Sequence, residues 1–257
     1  MKKTLLSWAV AILCISLASL SFWGFTSPGK NKTITNGTDL VKAMYSRWHK
    51  KWYPNFAFDQ RAIFYEGETV TKEEVWQEVY SQPGYLGIRF NGFESGNGVI
   101  FRNDSLYTFK DNQLQGKTPQ LHPLLLLCFD VYFLQPNVSA EKLQKLGFNL
   151  TKMTEAKWQG RDAYVIGTTD ATDNTTPQFW VDKERLYILR VLTNPKGTPR
   201  DVEIGNYQKI EGKWVATEVI FKTYGKTTMR EEYYNMRFPK VMNKAWYDPA
   251  QFVNTTW

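Results

Sequence analysis

The stretch Phe56-Ala57-Phe58-Asp59-Gln60-Arg61-Ala62-Ile63-Phe64-Tyr65 sets Phe56, Phe58, Gln60, Ala62 and Phe64 at every second position. That is the period of a β-strand with one face buried. Upstream, Leu40, Val41, Met44, Tyr45, Trp48 and Trp52 recur at spacings of three and four. They predict an amphipathic helix capped by Thr38 or Asp39 and stopped by Pro54. Downstream, Thr69 to Gln82 admits either period, and we read it as a strand. Pro83-Gly84 then turns the chain into a strand over Tyr85 to Asn91. Val99 to Arg102 and Leu106 to Lys110, joined at Asn103-Asp104, form a hairpin.

The same grammar fills the second half. Turn signals at Gln159-Gly160, Asp182-Lys183-Glu184, Asn194 to Thr198, Glu211-Gly212 and Tyr224-Gly225 separate segments rich in β-branched and aromatic residues, such as Phe179-Trp180-Val181 and Trp214 to Phe221. Strands at this spacing imply a large antiparallel curved sheet or barrel, mainly β with a few helices. Two helices interrupt it. Pro123 opens an apolar segment, Leu124 to Leu134, read as one helix buried or lying over a cavity, and Ser139 caps a second from Ala140 to Leu146 that Gly147 ends.

The first 25 residues differ from the rest: Lys2 and Lys3 precede an uncharged apolar run from Leu5 to Leu17. This is a signal-peptide layout with cleavage after Ala18, and an uncleaved anchor is the alternative because Phe22, Trp23 and Phe25 extend the apolar stretch. Residues 26–37 read as a flexible leader and 38–257 as one domain. With the leader removed, Cys128 is the one cysteine left, so no intramolecular disulfide forms and the core must hold the fold. The net charge of +7 is mild and comes with no nucleic-acid motif, so nucleic acid is not an expected partner.

Catalysis finds little support. The two histidines, His49 and His122, stand on different elements without acids at ligand spacing, which excludes a zinc site of the usual kind. G-x-S-x-G, P-loop and C-x-x-C motifs are absent. Glu66, Glu68, Glu73, Glu74, Asp201 and Glu203 remain formal candidates for a carboxylate pair, since a fold can bring distant acids together. We expect neither enzyme activity nor a cofactor. What does stand out is aromatic density at alternating strand positions, with 16% of all residues aromatic, enough to line a cavity as well as fill a core. From it we take Phe56, Phe58, Phe64, Trp76, Ile88, Phe90, Phe101 and Trp180, with Leu125, Phe129 and Phe133 of the apolar helix, as candidate lining for a site that holds apolar chains.

In the order of its elements the chain resembles the periplasmic lipoprotein carrier LolA and its relatives LolB, RseB and the mycobacterial lipid carriers. The likeness runs over about residues 38 to 252. It rests on Leu40 to Trp52, Phe56 to Tyr65, Pro83 to Phe90, Gly98 to Phe109, Gly160 to Ile166, Phe179 to Glu184 and the ending Trp246-Tyr247-Asp248-Pro249-Ala250-Gln251-Phe252. The resemblance implies an unclosed β-barrel with helices across its open side and a cavity for the acyl chains of lipids or lipoproteins. It also implies a non-enzymatic monomer exported to the periplasm. Arg61 lies in the strand that carries the lid-holding arginine of that carrier, with no local motif fixing the match. An envelope sensor that binds a protein partner on the same fold is the alternative, and an exported carbohydrate-active protein a third.

Overall fold

The computed structural model describes residues 33–257. Thirteen strands follow one another as antiparallel neighbours. The first six are β1 (Asn55–Glu66), β2 (Thr69–Ser81), β3 (Tyr85–Phe90), β4 (Asn97–Arg102), β5 (Ser105–Lys110) and β6 (Gln113–Pro119). The other seven are β7 (Met153–Trp158), β8 (Arg161–Ile166), β9 (Gln178–Asp182), β10 (Ile188–Thr193), β11 (Arg200–Ile210), β12 (Lys213–Thr223) and β13 (Lys226–Arg237). They form one sheet in the order β6-β5-β4-β3-β2-β1-β13-β12-β11-β10-β9-β8-β7. Two meanders thus meet where the first strand pairs with the last, and β6 and β7 stay as free edges, so the sheet does not close into a barrel.

Local chemistry sets the turns. Asn103 and Asp104 both take positive φ, 51° and 54°, the backbone of a two-residue hairpin turn whose twist matches the strands it joins. Asn235 and Asn206 supply the same conformation inside long strands.

The period of two expected on β1 is present: Phe56, Phe58, Gln60 and Ala62 are buried on the inner face. Phe56 and Phe58 share one core with residues of three helices, α1 (Gly37–Trp48), α2 (Pro123–Cys128) and α3 (Pro136–Lys145). The core between wall and helices joins Phe56, Phe58, Tyr80 and Phe101 to Leu125, Leu126, Leu127, Val131 and Tyr132. Each such side chain contributes roughly 1.5–3 kcal/mol by leaving water. A second, smaller core lies on the outer face, where Ala57, Val79, Ile100 and Phe109 are covered by Tyr247 and Phe252 of the C-terminal turns.

Four expectations need correction. The cap of α1 is Asn36, whose Oδ1 accepts the Asp39 N–H at 2.9 Å, and the helix stops at Trp48, leaving Trp52 in the turn that follows. At the start of α1 the Gly37 N–H donates to Leu150 O at 2.8 Å. Leu124 to Leu134 is not one helix: α2 ends at Cys128, Phe129 turns out of it with φ −133° and ψ −66°, and a short 3-10 turn covers Asp130–Tyr132. The cause is Asp130, whose Oδ1 accepts the Gly84 N–H at 2.9 Å and the Tyr80 hydroxyl at 3.0 Å, drawing the chain onto the β2–β3 turn. Ser139 is inside α3, which Pro136 opens because proline needs no partner for a missing N–H.

A candidate apolar site under the helical cover

Segment 123–134 lies across the inner wall as a cover. At its start the His122 Nδ1 accepts the Leu125 N–H at 3.1 Å, closing the first turn of α2, and burial pushes this imidazole down to about 4, so it stays neutral. At its far end Asp130 is tied to Tyr80 and Gly84, and burial raises its carboxyl to about 7 despite those hydrogen bonds. Between them Phe129 packs on Tyr80, Tyr53 and Phe56 with ring centroids 4.5, 6.1 and 6.5 Å away.

Two spaces border this cover and share Leu124. One is an open groove of about 460 Å³ between the start of α2 and the wall, lined by Phe64, Val202, Phe221 and Met229, with Arg200, Asp201 and Lys222 among its polar lining. The other is an enclosed cavity of about 50 Å³, lined by Trp52, Tyr53, Phe56, Cys128, Phe129, Tyr207, Val215, Ala216 and Tyr233 among others. Cys128 faces that cavity, where burial lifts its thiol to about 12 and keeps it uncharged.

The residues singled out from sequence fall into six places. Phe64 lines the groove, and Phe56 and Phe129 line the enclosed cavity. Phe58 is buried against Tyr233 at 4.4 Å, and Phe133 packs at the margin of the main core. Phe101 and Leu125 border a cleft of about 20 Å³ beside Asp130, with the Phe101 ring edge-on to His122. Trp76 stands between Phe64 at 6.0 Å and Phe90 at 4.7 Å, a half-buried aromatic row across β1, β2 and β3, and Ile88 is the next inward position on β3. Trp180 lies on β9, with its Nε1 donating to Gln178 and its ring beside Trp158 and Arg190.

The sequence reading missed a set of polar residues on the inner wall. Glu78, Gln60 and Glu231 are buried on β2, β1 and β13, and the Tyr233 hydroxyl donates to Glu231 Oε2 at 3.0 Å. Burial raises Glu231 to about 7 and Glu78 well above the usual carboxylate range, the latter helped by the nearby Glu231. One signal was visible beforehand: Gln60 is the polar member of an otherwise apolar inward row.

Four of the six acids weighed for catalysis are held in ion pairs. Glu73 pairs with Arg61 at 2.9 Å on the outer face, Asp201 with Arg190 at 2.6 Å, and Glu203 with Lys222 at 2.5 Å. Glu74 is held by Lys72, Trp76 and Asn91. Arg61 cannot hold the cover: it projects from the opposite face of β1 and joins Glu73 to Glu232.

Neither family profiles nor curated proteins give a match to this sequence. Solved structures do. A DUF1329 family protein from Desulfovibrio piger aligns at 15% identity with a TM-score of 0.56, covering 84% of this chain and 97% of that one. An outer membrane lipoprotein-sorting protein domain from Vibrio parahaemolyticus aligns at 12% identity and TM-score 0.58 over 85% and 98%. A LolA superfamily protein from Nitrosomonas europaea aligns at 10% identity and TM-score 0.55 over 85% and 100%. At these identities the likeness concerns architecture, and by architecture this chain is similar to LolA superfamily structures: an antiparallel sheet, unclosed, bent around covering helices.

Proposed function

We propose that the chain is a non-enzymatic, exported carrier that holds the acyl chains of lipids or lipoproteins between its half-barrel wall and the 123–134 cover, as a monomer in the periplasm. The observation that carries this reading is the pair of neighbouring spaces that share Leu124 of the cover: a groove open to solvent with mixed polar and apolar lining, and a smaller apolar cavity. Lifting α2 would merge them. Each methylene that enters gains about 0.8 kcal/mol by leaving water. The fold neighbours supply a second support, since one is a lipoprotein-sorting domain by name. The signal-peptide reading concerns residues 1–25, outside the described residues, and among the described residues no helix is long and apolar enough to cross a membrane.

The test is purification of the protein from cells, organic extraction and mass spectrometry. Copurified acyl lipid supports carriage. A lipid-free extract, with no binding when lipid is added back, counts against it. The enclosed cavity of about 50 Å³ favours a second reading, an envelope sensor whose filled interior is scaffold and whose ligand is another protein. Crosslinking in cells that traps one specific envelope protein on a lipid-free chain would support that reading over carriage.

A further inference from the structure

The acyl-chain reading leaves the polar row of the inner wall unused. In register, Phe58 faces Glu78 and Ala62 faces Glu231, so the two carboxyls flank Gln60 from neighbouring strands. Glu78 and Glu231 are each 7% exposed and Gln60 is 0% exposed. Among the described residues no basic group is paired with either carboxyl. The Gln60 amide lies against Glu231, and its Oε1 has no hydrogen-bond partner. Buried polar atoms left unmatched in an apolar wall destabilise a fold unless something completes them.

The row also has a telling position. Along the inner face of β13, Met229 lines the groove, Tyr233 lines the enclosed cavity, and Glu231 stands between them.

We infer that the Glu78–Gln60–Glu231 row binds the ammonium group of an amine-bearing amphiphile whose chain occupies the space under the cover. The chain part rests on the carrier reading; the head part rests on the row alone. An ammonium brings one positive charge and three donors to two carboxyls and an amide oxygen. An alcohol brings a single donor, and a fatty-acid carboxylate meets groups of its own sign. From the surrounding elements, Tyr233 on β13 is the titratable group that bonds the row and Cys128 on α2 acts on Tyr233 in turn, both kept neutral by burial. β1, β3 and β12 present Phe58 and Ala62, Ile88, and Val219. Burial favours the protonated form of both carboxyls, so an arriving ammonium ionises the protonated fraction and protons leave as the amine binds.

The experiment is calorimetric titration of the purified protein with dodecylamine, dodecanol and dodecanoate near neutral pH, in two buffers of different ionisation enthalpy. The expected result is amine affinity at least about tenfold above the alcohol, with proton release. The Glu78→Gln, Glu231→Gln double variant should keep alcohol binding and lose both the preference and the released protons. Equal amine and alcohol binding without proton release overturns the inference and leaves carriage standing. Binding of none of the three overturns both, and binding of the amine alone supports the row while contradicting general acyl-chain carriage. If the double variant does not fold, the wild-type contrast and Glu231→Gln decide.

Discussion

The Asp130 Oδ1 of the cover and the Tyr80 hydroxyl of β2 are 3.0 Å apart, and this hydrogen bond anchors the cover to the wall. Because the Gly84 N–H donates to the same oxygen, the other carboxyl oxygen is left to carry a proton. Burial makes that proton favourable by raising Asp130 from 3.8 to about 7. The group therefore contributes stability that is fully present below about pH 4 and lost as pH rises through about 7. His122 acts in the opposite sense. Lowered from 6.5 to about 4, it contributes above pH 6.5 and loses its share as pH falls through about 4. Asp130→Asn keeps the accepting oxygen and removes the titration. Urea unfolding should show the variant gaining on wild type as pH rises from 4 to 7, by on the order of a few kcal/mol at most. A difference that stays flat with pH would contradict this account of Asp130.

Gly98 is required by close approach. A methyl there would run into the Ile88 carbonyl oxygen and stand 3.2 Å from the Phe252 ring. Gly98→Ala should cost roughly 1–3 kcal/mol. Gly205→Ala, which meets nothing within 4 Å, serves as the control and should be within about 1 kcal/mol of wild type. Chemical denaturation of the two variants checks the pair.

Arg89 holds the C-terminal turns against the outer face. Its guanidinium stacks over the Phe252 ring, donates to the Phe252 carbonyl, and donates to Thr255 O at 3.2 Å. Burial lowers its pKa to about 10, which leaves it charged at neutral pH. Arg89→Ala should free the segment after residue 243, seen as faster proteolytic trimming there and as dye binding to the uncovered Val79, Ile100 and Phe109 face. Trimming at the wild-type rate would contradict the latch.

Arg61 belongs to an outer ladder in which Glu73, Arg61, Glu232, Arg230 and Glu218 alternate across β2, β1, β13 and β12. The members are largely exposed, so Arg61→Ala should cost less than about 1 kcal/mol, with the loss shrinking in high salt. Its uptake of fatty acid should equal that of wild type. Impaired uptake would restore a role in holding the cover.

Much of the fold was legible because it is written locally. Asn103-Asp104, Gln159-Gly160 and Glu211-Gly212 are turn-forming pairs that take positive φ at both residues, and the strands between them alternate. β6 was not legible: Gln113–Pro119 is exposed at every position, leaving no buried apolar period to read. The break in the cover was hidden as well, since an apolar run cannot show that Asp130 is wanted by Tyr80 and Gly84 from fifty and forty-six residues away. The buried row was hidden for a similar reason. Glu78 and Glu231 look like ordinary strand acids until the β2–β1–β13 register sets them around Gln60. Phe56 and Phe64 could be placed on the inner wall from their spacing, but which opening each one lines depended on where α2 lies.

Uptake of a fluorescent fatty acid tests the central claim most directly when wild type is compared with Ala216→Phe, which places a ring in the enclosed cavity, and with Val75→Phe on the outer face. The carrier account predicts saturable uptake by wild type, the same uptake by Val75→Phe, and at least about tenfold weaker uptake by Ala216→Phe. No uptake by wild type, or undiminished uptake by Ala216→Phe, would contradict it.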